Sequence, residues 1–457
     1  MITRTLKEIS EWIKIENEIS IFNDAVISGV SIDSRKINSG NIFVPFKGEN
    51  SDGHRFVEDA IKKGASVALW QKDVPNPPLH LPILVVENTL IALQELARNY
   101  RDVLNVRVVG ITGSNGKTTT KDMTANLLSV KYKVQKTEGN FNNEIGLPLT
   151  ILGLEEDTEV AVLEMGMSSK GEIDFLTRLA RPEAAIITNI GESHLLDLGS
   201  REGIAEAKLE IMNGLQENGL LTYYGDEPLL KEQLTNYAGD SNIRTFGRSE
   251  KNDIFPVEIE QNDIGSIFKV NTSNVEFKLP VLGIHNVLNA LAAMTVADYF
   301  GVPFEKMNEG FAELKLTNMR TELLQGKKGE KIINDAYNAS PTSMLAAIEL
   351  ISQLPGYKKK ILVLGDMLEL GPQEKEFHIK MGESIDSDKI DYVFTFGKLG
   401  ECITEGAKTK LAADQVFAFT EKLPLIEKLE KLVNEETIVL VKASRGMRLE
   451  EVVNALQ

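Results

Sequence analysis

One stretch of the sequence carries the residue types best suited to bind a chain of phosphates. Residues 107–120 read as an apolar strand, a glycine-rich turn and the start of a helix. Glycine lets backbone N–H groups close around phosphate oxygens, and a helix N-terminus adds partial positive charge. Lys117 can reach the β- and γ-phosphates of a nucleotide, and the Thr118 hydroxyl can bind Mg²⁺. The stretch therefore predicts a nucleotide phosphate-binding loop.

This turn departs from the usual phosphate-loop pattern, Gly-x-x-x-x-Gly-Lys-Ser/Thr, at one position. Ile111 stands where the first glycine is expected, so Gly113 and Gly116 must provide the tight wrapping of the loop. The alternative is a helix that happens to begin with Gly-Lys-Thr. The strand before the turn and the helical pattern after it argue against that alternative.

Length and composition limit the class of protein. A chain of 457 residues predicts about three domains, and its hydrophobic and charged fractions, 42% and 26%, are typical of soluble globular proteins. The formal net charge of −17 argues against a general nucleic-acid binder but leaves room for an anionic substrate at local cations and Mg²⁺. Cys402 is the only cysteine, so no internal disulfide can form. We find no signal peptide and no apolar run of about 20 residues, so we expect a cytoplasmic protein without a membrane span.

The first 86 residues predict a small N-terminal α/β domain. A helical pattern begins near Phe56, and strand patterns lie at residues 30–33, 41–46, 66–70 and 83–86. Ser34 and Arg35 follow the first of these strands. Their position alone indicates turn residues rather than ligands.

The central region, which we bound at residues 87–314, predicts a parallel sheet covered by helices on both faces. Continuous apolar runs alternate there with helical patterns. One run ends at Glu164, and the next leads to His194. Ligands of such sheets bind beyond the carboxyl ends of the strands, so both residues should lie near the phosphate loop and form a Mg²⁺-nucleotide site with it. Taken singly, Glu164 could be a capping carboxylate and His194 an ordinary loop histidine, but their joint placement favours the site.

Three more candidates lie further along the central region. Lys208 is part of an amphipathic helical pattern, and the spacing alone indicates an ordinary surface lysine. Asn286 stands at the start of another helical pattern, where an N-cap is the simplest interpretation. Asn289 lies one turn further along that helix.

The last region, residues 315–457, predicts a third α/β domain. Its strand patterns lie at residues 331–335, 360–366 and 437–442. Asp335 ends the first of these strands, and Lys442 and Arg445 lie at the exit of the last. Surface charges in a loop explain Lys442 and Arg445 equally well.

Together these motifs resemble the Mur ligases, ATP-dependent amide-forming enzymes that build the peptide of the bacterial cell-wall precursor. The resemblance extends from Ser31 to Arg445 and is carried by residues 110–119, 163–166, 189–194, Lys208 and His285-Asn286. It implies a central P-loop parallel-sheet ATPase domain between a small N-terminal α/β domain and a C-terminal Rossmann-like α/β domain. The N-terminal domain would bind the UDP end of the substrate, and the C-terminal domain the acceptor.

The resemblance also implies ATP and Mg²⁺ as cofactors and assigns roles in the central region. Thr118 and Glu164 would bind Mg²⁺, and His194 would help to hold a second ion. Lys208 would match the family's carbamylated lysine, so that Lys117, His194 and Lys208 form the catalytic set. The ATP phosphates would be held by Gly113, Ser114, Asn115, Gly116, Lys117, Thr118 and Thr119.

Other implied roles lie on the flanking segments. Asn286 and Asn289 would lie near adenine, while Arg320 and Asp335 would complete the nucleotide site from the C-terminal region. Arg320 follows Met319, where the family pattern has glycine. Ser34 and Arg35 would contact the UDP end of the substrate.

Residues 335–344 and 364–371 resemble one branch of the family, which adds D-alanyl-D-alanine to a UDP-N-acetylmuramoyl tripeptide. Ser340 stands where the usual pattern of that branch has asparagine, and Asn338 belongs to the same block. The resemblance implies that a carboxylate activated as an acyl phosphate is attacked by the dipeptide's amine. Lys442 and Arg445 are candidates to pair with the far carboxylate of the acceptor.

Two other classes of function remain open at this point. One is a different ligase of the superfamily, such as folylpolyglutamate synthase, and the other is a P-loop nucleotide switch that forms no covalent product. The block at residues 335–344 argues against the first. We expect a monomer, and the third residue of the peptide substrate, lysine or diaminopimelate, stays open.

Overall fold

The computed structural model describes residues 1–19, 24–48, 52–235, 237 and 239–457. Within these residues, three sheets that are wholly or mostly parallel follow one another along the chain, which confirms the predicted α/β class. The domain boundaries at residues 86 and 314 stay a prediction. No helix in the described ranges is long and apolar enough to span a membrane.

The N-terminal sheet has four parallel strands. In spatial order they are Val30–Ser31, Ile42–Phe43, Val67–Gln71 and Ile83–Val86. A two-stranded antiparallel sheet, Thr3–Thr5 with Val26–Ser28, lies outside it. The helices of this region are Leu6–Trp12 and Val57–Lys62, the second preceded by the 3₁₀ turn Gly53–Phe56. The first two strands are shorter than the sequence patterns at residues 30–33 and 41–46, whereas the other two match their patterns to within one residue.

The central sheet has six parallel strands. Their spatial order is Asn242–Phe246, Leu220–Tyr224, Ala184–Ile187, Arg107–Thr112, Val160–Glu164 and Val134–Lys136. Successive residues of these strands enter separate cores: Val108 belongs to one apolar cluster, and Val109 and Ile111 belong to the other. Both faces are therefore buried, as the continuous apolar runs predicted.

Helices cover both faces of this sheet, and an antiparallel meander adds to one side. The meander consists of Pro256–Gln261, Ser266–Val270 and Ser273–Leu279, and the sequence patterns did not predict it. Asn88 caps the first helix by accepting hydrogen bonds from the backbone N–H groups of Leu90 and Ile91. The helices are Thr89–Val103, Lys117–Ser129, Gly146–Leu152, Glu172–Ala180, Leu195–Leu198, Arg201–Leu209, Pro228–Leu234, Ile284–Tyr299 and Phe304–Ala312.

The C-terminal sheet has six strands, five of them parallel. In spatial order they are Glu322–Gln325, which is antiparallel, Lys331–Asp335, Thr437–Lys442, Lys359–Gly365, Tyr392–Phe396 and Val416–Phe419. Its helices are Pro341–Gln353, Glu374–Glu383, Gly400–Ala407, Lys422–Glu430 and Glu450–Leu456. Ser340 and Ser343 form a capping box at the first of these helices, and Pro341 occupies its first turn. That helix N-terminus faces the central sheet.

Candidate ATP and ligase site

The phosphate loop, residues 113–119, connects the strand Arg107–Thr112 to the helix Lys117–Ser129. Gly113 and Gly116 have φ values of +146° and +80°. A Cβ atom on Gly113 would lie 1.8 Å from Thr188 Oγ1, and one on Gly116 would lie 2.6 Å from Asn289 Oδ1. Only glycine fits at these two positions, whereas Ile111 is an ordinary buried strand residue. The departure from the usual pattern thus leaves the loop intact.

A neighbouring segment, residues 188–194, supports the phosphate loop and is called the support loop below. The Asn115 N–H donates to Asn189 Oδ1 at 2.9 Å, and the Gly191 N–H donates to Ser114 Oγ at 2.9 Å. Thr188 Oγ1 donates to the Asn115 carbonyl at 2.5 Å. The two loops therefore hold each other in one conformation at the carboxyl ends of adjacent strands.

Two cations converge on the phosphate loop. Lys117 Nζ donates to the Gly113 carbonyl at 2.7 Å, and Arg320 Nη2 from the C-terminal region lies 3.4 Å from Thr118 Oγ1. The Arg320 guanidinium stacks 3.9 Å from the Tyr337 ring centroid. Burial lowers the pKa of Lys117, and the Arg320 charge lowers it further, while Glu164 opposes both effects. A phosphate group at this place would relieve the repulsion between the two cations.

Glu164 leaves one carboxylate oxygen free in the cavity. Its Oε1 accepts a 2.8 Å hydrogen bond from Asn142 Nδ2, whereas Oε2 is buried and has no hydrogen-bond partner among the described residues. Glu164 therefore ends a strand and does not cap a helix. The described ranges contain no group of three or more His, Cys, Asp or Glu side chains placed to bind a metal. One free carboxylate oxygen in the cavity that Thr118 also lines fits Mg²⁺, which commonly takes its other ligands from phosphates and water.

His194 lies at the junction between the central and C-terminal regions. It has a left-handed backbone with φ of +62° and precedes the one-turn helix Leu195–Leu198. Its Nδ1 lies 3.1 Å from Glu369 Oε2. Burial lowers the pKa of His194, and the nearby Lys117 charge lowers it further, so the imidazole is neutral at pH 7. A neutral imidazole is available as a metal ligand or a proton acceptor.

Lys208 is buried, with 2% of the residue exposed. The interpretation of its helical spacing as a surface lysine is therefore wrong. Burial lowers the pKa of Lys208 well below 10.5, and the charge of Lys117 lowers it further. No acidic side chain in the described part of the chain lies within ion-pair distance of it. The apolar neighbours Ile204, Ala205 and Ala207 share its helix and turn it toward the sheet.

The helix Ile284–Tyr299 approaches the phosphate loop from the side. Gly283 occupies the N-cap position, so the prediction that Asn286 is the N-cap is wrong. Asn286 Nδ2 instead donates to the Leu282 carbonyl, and Asn289 Nδ2 donates to Asn286 Oδ1 at 3.0 Å. Loss of solvent around the ring lowers the pKa of His285 to about 4.

The C-terminal candidates divide into two groups. Asp335, Asn338 and Lys442 line the cavity, and Lys442 Nζ donates to Asp335 Oδ2 at 2.5 Å and to the Asn338 carbonyl at 3.1 Å. Arg445 is exposed and does not line the cavity, and its Nη1 lies 3.0 Å from Glu450 Oε1. Both cations proposed for the acceptor carboxylate are therefore already paired with a carboxylate of the chain.

Ser34 and Arg35 lie outside this cavity, in the N-terminal region. The Arg35 side chain is 84% exposed, and its guanidinium forms two 2.9 Å hydrogen bonds with Asp33. The hydrogen bonds from Arg35 hold the pKa of Asp33 far below its usual range. The turn around Asp33 thus presents a fixed guanidinium to solvent.

Most of the candidate residues line one cavity of about 700 Å³ between the central and C-terminal regions. Gly113 and Lys208 do not line it, and neither do Ser34, Arg35 and Arg445. A cavity of this volume is in the range of small-molecule sites. The sequence patterns missed part of its lining, namely Asn140, Asn142, Asn143, Tyr224, Arg248, Tyr337, Thr342 and Ser343. The asparagine-rich run at residues 140–143 was the available signal, since it follows a strand of the parallel sheet.

The fold and the cavity define a phosphate-loop α/β protein in which two sheets contribute to one nucleotide-sized site. Family models agree with this description along most of the chain. The model for the Mur ligase middle domain matches residues 111–297, the glutamate ligase domain of the Mur ligases matches residues 319–445, and the Mur ligase family catalytic domain matches residues 26–101. The chain belongs to the Mur ligase family.

Comparison with individual relatives indicates one branch of the family. The chain is 52% identical over 456 residues to the UDP-N-acetylmuramoyl-tripeptide–D-alanyl-D-alanine ligase of Bacillus subtilis, covering 100% of this chain and 99% of the relative. It is similar to a crystal structure of MurF from Acinetobacter baumannii, with a TM-score of 0.89, 30% identity and coverage of 100% and 99%. MurF from Thermotoga maritima in complex with ADP is similar at a TM-score of 0.82, with 32% identity and coverage of 94% and 96%.

Proposed function

We propose that this protein is an ATP-dependent ligase that joins D-alanyl-D-alanine to a UDP-N-acetylmuramoyl tripeptide in peptidoglycan precursor synthesis. The observation that carries the proposal is full-length identity of 52% to a curated ligase of that name. The cavity supports it, because the phosphate loop, a free carboxylate oxygen and C-terminal side chains meet there. We further propose that the protein acts as a monomer in the cytoplasm, which sedimentation and fractionation would test.

The residues around the phosphate loop fit ATP and Mg²⁺. When bound, ATP supplies the phosphoryl group that activates the tripeptide carboxylate as an acyl phosphate, and Mg²⁺ supplies positive charge at the phosphate oxygens. We assign phosphate binding to residues 113–119 and metal binding to Thr118, Glu164 and His194. Lys117 and Arg320 supply the fixed cations that stabilise charge on the phosphoryl group.

The attacking amine must be unprotonated, and two histidines near the cavity can help. His194 and His285 both have lowered pKa values, so each imidazole is neutral at pH 7 and can accept a proton. We assign Asn286 and Asn289 to the adenine side of the site, since Asn289 lies against Gly116 and donates a hydrogen bond to Asn286.

The substrate ends are assigned to the flanking regions. Ser34 and Arg35 would contact the UDP end, and Asp335 and Asn338 would border the acceptor. We assign the acceptor carboxylate to the two cations at the exit of the last strand, Lys442 and Arg445. Because Asp335 and Glu450 already pair with these cations, binding of the acceptor requires the cations to exchange or share partners.

Acceptor choice tests this function directly. The protein is incubated with UDP-N-acetylmuramoyl tripeptide, ATP, Mg²⁺ and one acceptor at a time, and products are identified by mass spectrometry. We expect efficient ligation of D-alanyl-D-alanine and weak use of its C-terminal amide, because the donors that pair with the carboxylate would be left unpaired. D-glutamate and L-lysine should scarcely react.

Other outcomes identify other functions. Preference for D-glutamate or L-lysine on a shorter muramoyl peptide would make the protein an earlier ligase of the series. Ligation that depends on a folate would indicate a folylpolyglutamate synthase. Phosphate release that needs no acceptor would indicate a nucleotide switch. Tripeptides ending in lysine and in diaminopimelate, compared side by side, identify the natural donor.

A further inference from the structure

The first turn of the helix Pro341–Gln353 docks on the phosphate loop and the support loop. Ser340 Oγ donates to Asn115 Oδ1 at 3.0 Å. The backbone N–H and Oγ1 of Thr342 donate to Glu192 Oε2 at 3.2 and 2.7 Å. Glu192 is a carboxylate of the central region placed at the positive end of a helix from the C-terminal region. These bonds join the two regions where they enclose the cavity.

A second junction lies on the other side of the phosphate loop. The backbone N–H and Oγ1 of Thr317 each donate to Asp122 Oδ2 at 2.9 Å. Asp122 is completely buried on the helix Lys117–Ser129, and its Oδ1 lies 2.6 Å from Lys136 Nζ. Opening this junction would leave the buried Oδ2 without these two donors, which is unfavourable, so the junction resists opening.

The residues between the two junctions have an unusual backbone. Met319 and Thr321 have φ values of +64° and +51°, a conformation that side chains other than glycine adopt rarely. Arg320 stands between them and reaches Thr118. Residues held in such a conformation store backbone strain and cluster in switch segments, and a hinge consists of a few loop residues that absorb a backbone change.

We propose that Glu192 is a positioning residue that acts as a latch, with Asp122 as the fixed pivot and residues 319–321 as the hinge. Rotation about the hinge would open the cavity by breaking the Glu192 bonds while the Asp122 bonds persist. Closing would bring Arg320 to the phosphate loop and the acceptor side of the site to the activated carboxylate. The assignment builds on the proposed ligase function, but its test requires no ligation.

The latch is exposed, so its strength should be modest and sensitive to salt. A carboxylate at a solvent-exposed helix N-terminus is weakened by water and by ions. We expect Glu192→Ala to lower the ratio of closed to open molecules about three- to tenfold. Glu192→Gln keeps an acceptor oxygen but loses the charge, so it should retain part of the closed population and respond less to salt.

Fluorescence energy transfer between single molecules measures this ratio. One dye is attached to Cys402, the only cysteine, on the C-terminal helix Gly400–Ala407, and the other to Lys231→Cys on the central helix Pro228–Leu234. Molecules are measured with ATP and Mg²⁺ at low and high salt. Glu202→Gln is the matched control, because it removes the same charge from an exposed site of the neighbouring helix Arg201–Leu209.

The expected result is a smaller closed population for Glu192→Ala, a partial loss for Glu192→Gln and none for Glu202→Gln. An unchanged distribution for Glu192→Ala would overturn the latch. Thr317→Val tests the pivot without unpairing Lys136 from Asp122, and we expect faster hydrogen exchange at residues 315–321 in this variant only. Unchanged exchange there would overturn the pivot. A wild-type protein that closes on ATP but fails to ligate D-alanyl-D-alanine would count against the proposed function and leave the latch intact.

Discussion

Replacing Lys208 by methionine should stabilise the folded protein while abolishing ligation. The Lys208 side chain is buried with no acidic partner among the described residues, and the positive charge of Lys117 acts on it. Methionine has a similar length and no charge, so it fills the space without an ionisable group. The change therefore separates the cost of burying the amine from its use in catalysis.

The difference in stability between Lys208→Met and the wild type should decrease as the pH rises. Burial lowers the pKa of Lys208 well below its value of 10.5 in the unfolded chain. Each unit of lowering costs the folded state about 1.4 kcal/mol at a pH below both values. Between the two values the unfolded chain binds the extra proton, so the stability of the wild type rises with pH across this window. The cost is fully present below the folded pKa and vanishes above about 10.5.

Urea unfolding of both proteins in buffer free of carbon dioxide measures this difference. We expect Lys208→Met to be more stable at pH 6, with the advantage shrinking steadily toward pH 9.5. An advantage that does not change with pH would refute the argument, because it would show that the amine does not ionise differently in the folded and unfolded chains.

Activity provides the second readout. A lysine that is partly neutral can react with carbon dioxide and release a proton, and the resulting carbamate would carry a negative charge where the protonated amine carried a positive one. Lys208→Met should therefore be nearly inactive, with a fall in turnover on the order of 10²-fold or more. Lys208→Ala should be equally inactive, but formate or acetate should partly restore it by entering the vacated anion position. A fully active variant would show that Lys208 has no part in the reaction.

Three further predictions concern the phosphates and the metal. Lys117→Ala should lower turnover by a factor on the order of 10² without unfolding, because a fixed cation is lost, and near-normal ligation would exclude the residue from phosphate binding. Glu164→Ala and His194→Ala should each raise the Mg²⁺ concentration for half-maximal rate, and the site is misplaced if neither does. Asn142→Ala removes a hydrogen bond to a buried carboxylate, worth about 1.5–3 kcal/mol, so affinity for Mn²⁺ in the presence of ADP, measured by electron paramagnetic resonance, should fall about 10- to 100-fold. Gln94→Ala, which loses a bond to the same loop at the Glu144 carbonyl, should keep the wild-type affinity.

The amino-acid sequence determined the phosphate loop and the strands around it. Gly113 and Gly116 permit backbone angles that other residues reject, and their neighbours along the chain form the strand and the helix. Continuous apolar runs required a parallel sheet buried on both faces. Glu164 and His194 then had to lie near the loop, since all carboxyl ends of parallel strands meet at one edge. Met319 stands before Arg320 where the family pattern has glycine, and it adopts the left-handed backbone that glycine would favour.

The burial of Lys208 and the contacts between side chains distant in sequence depend on tertiary packing. The helical spacing around Lys208 fits a surface lysine, and packing against the sheet buries it. Glu192 and Thr342 are 150 residues apart, and Asp122 and Thr317 are 195 residues apart. Local pattern fixes backbone conformation through neighbouring residues, but it carries no information about which distant side chain will approach. Those contacts depend on how the sheets pack against one another, so the latch, the pivot and the buried lysine became visible only in the folded chain.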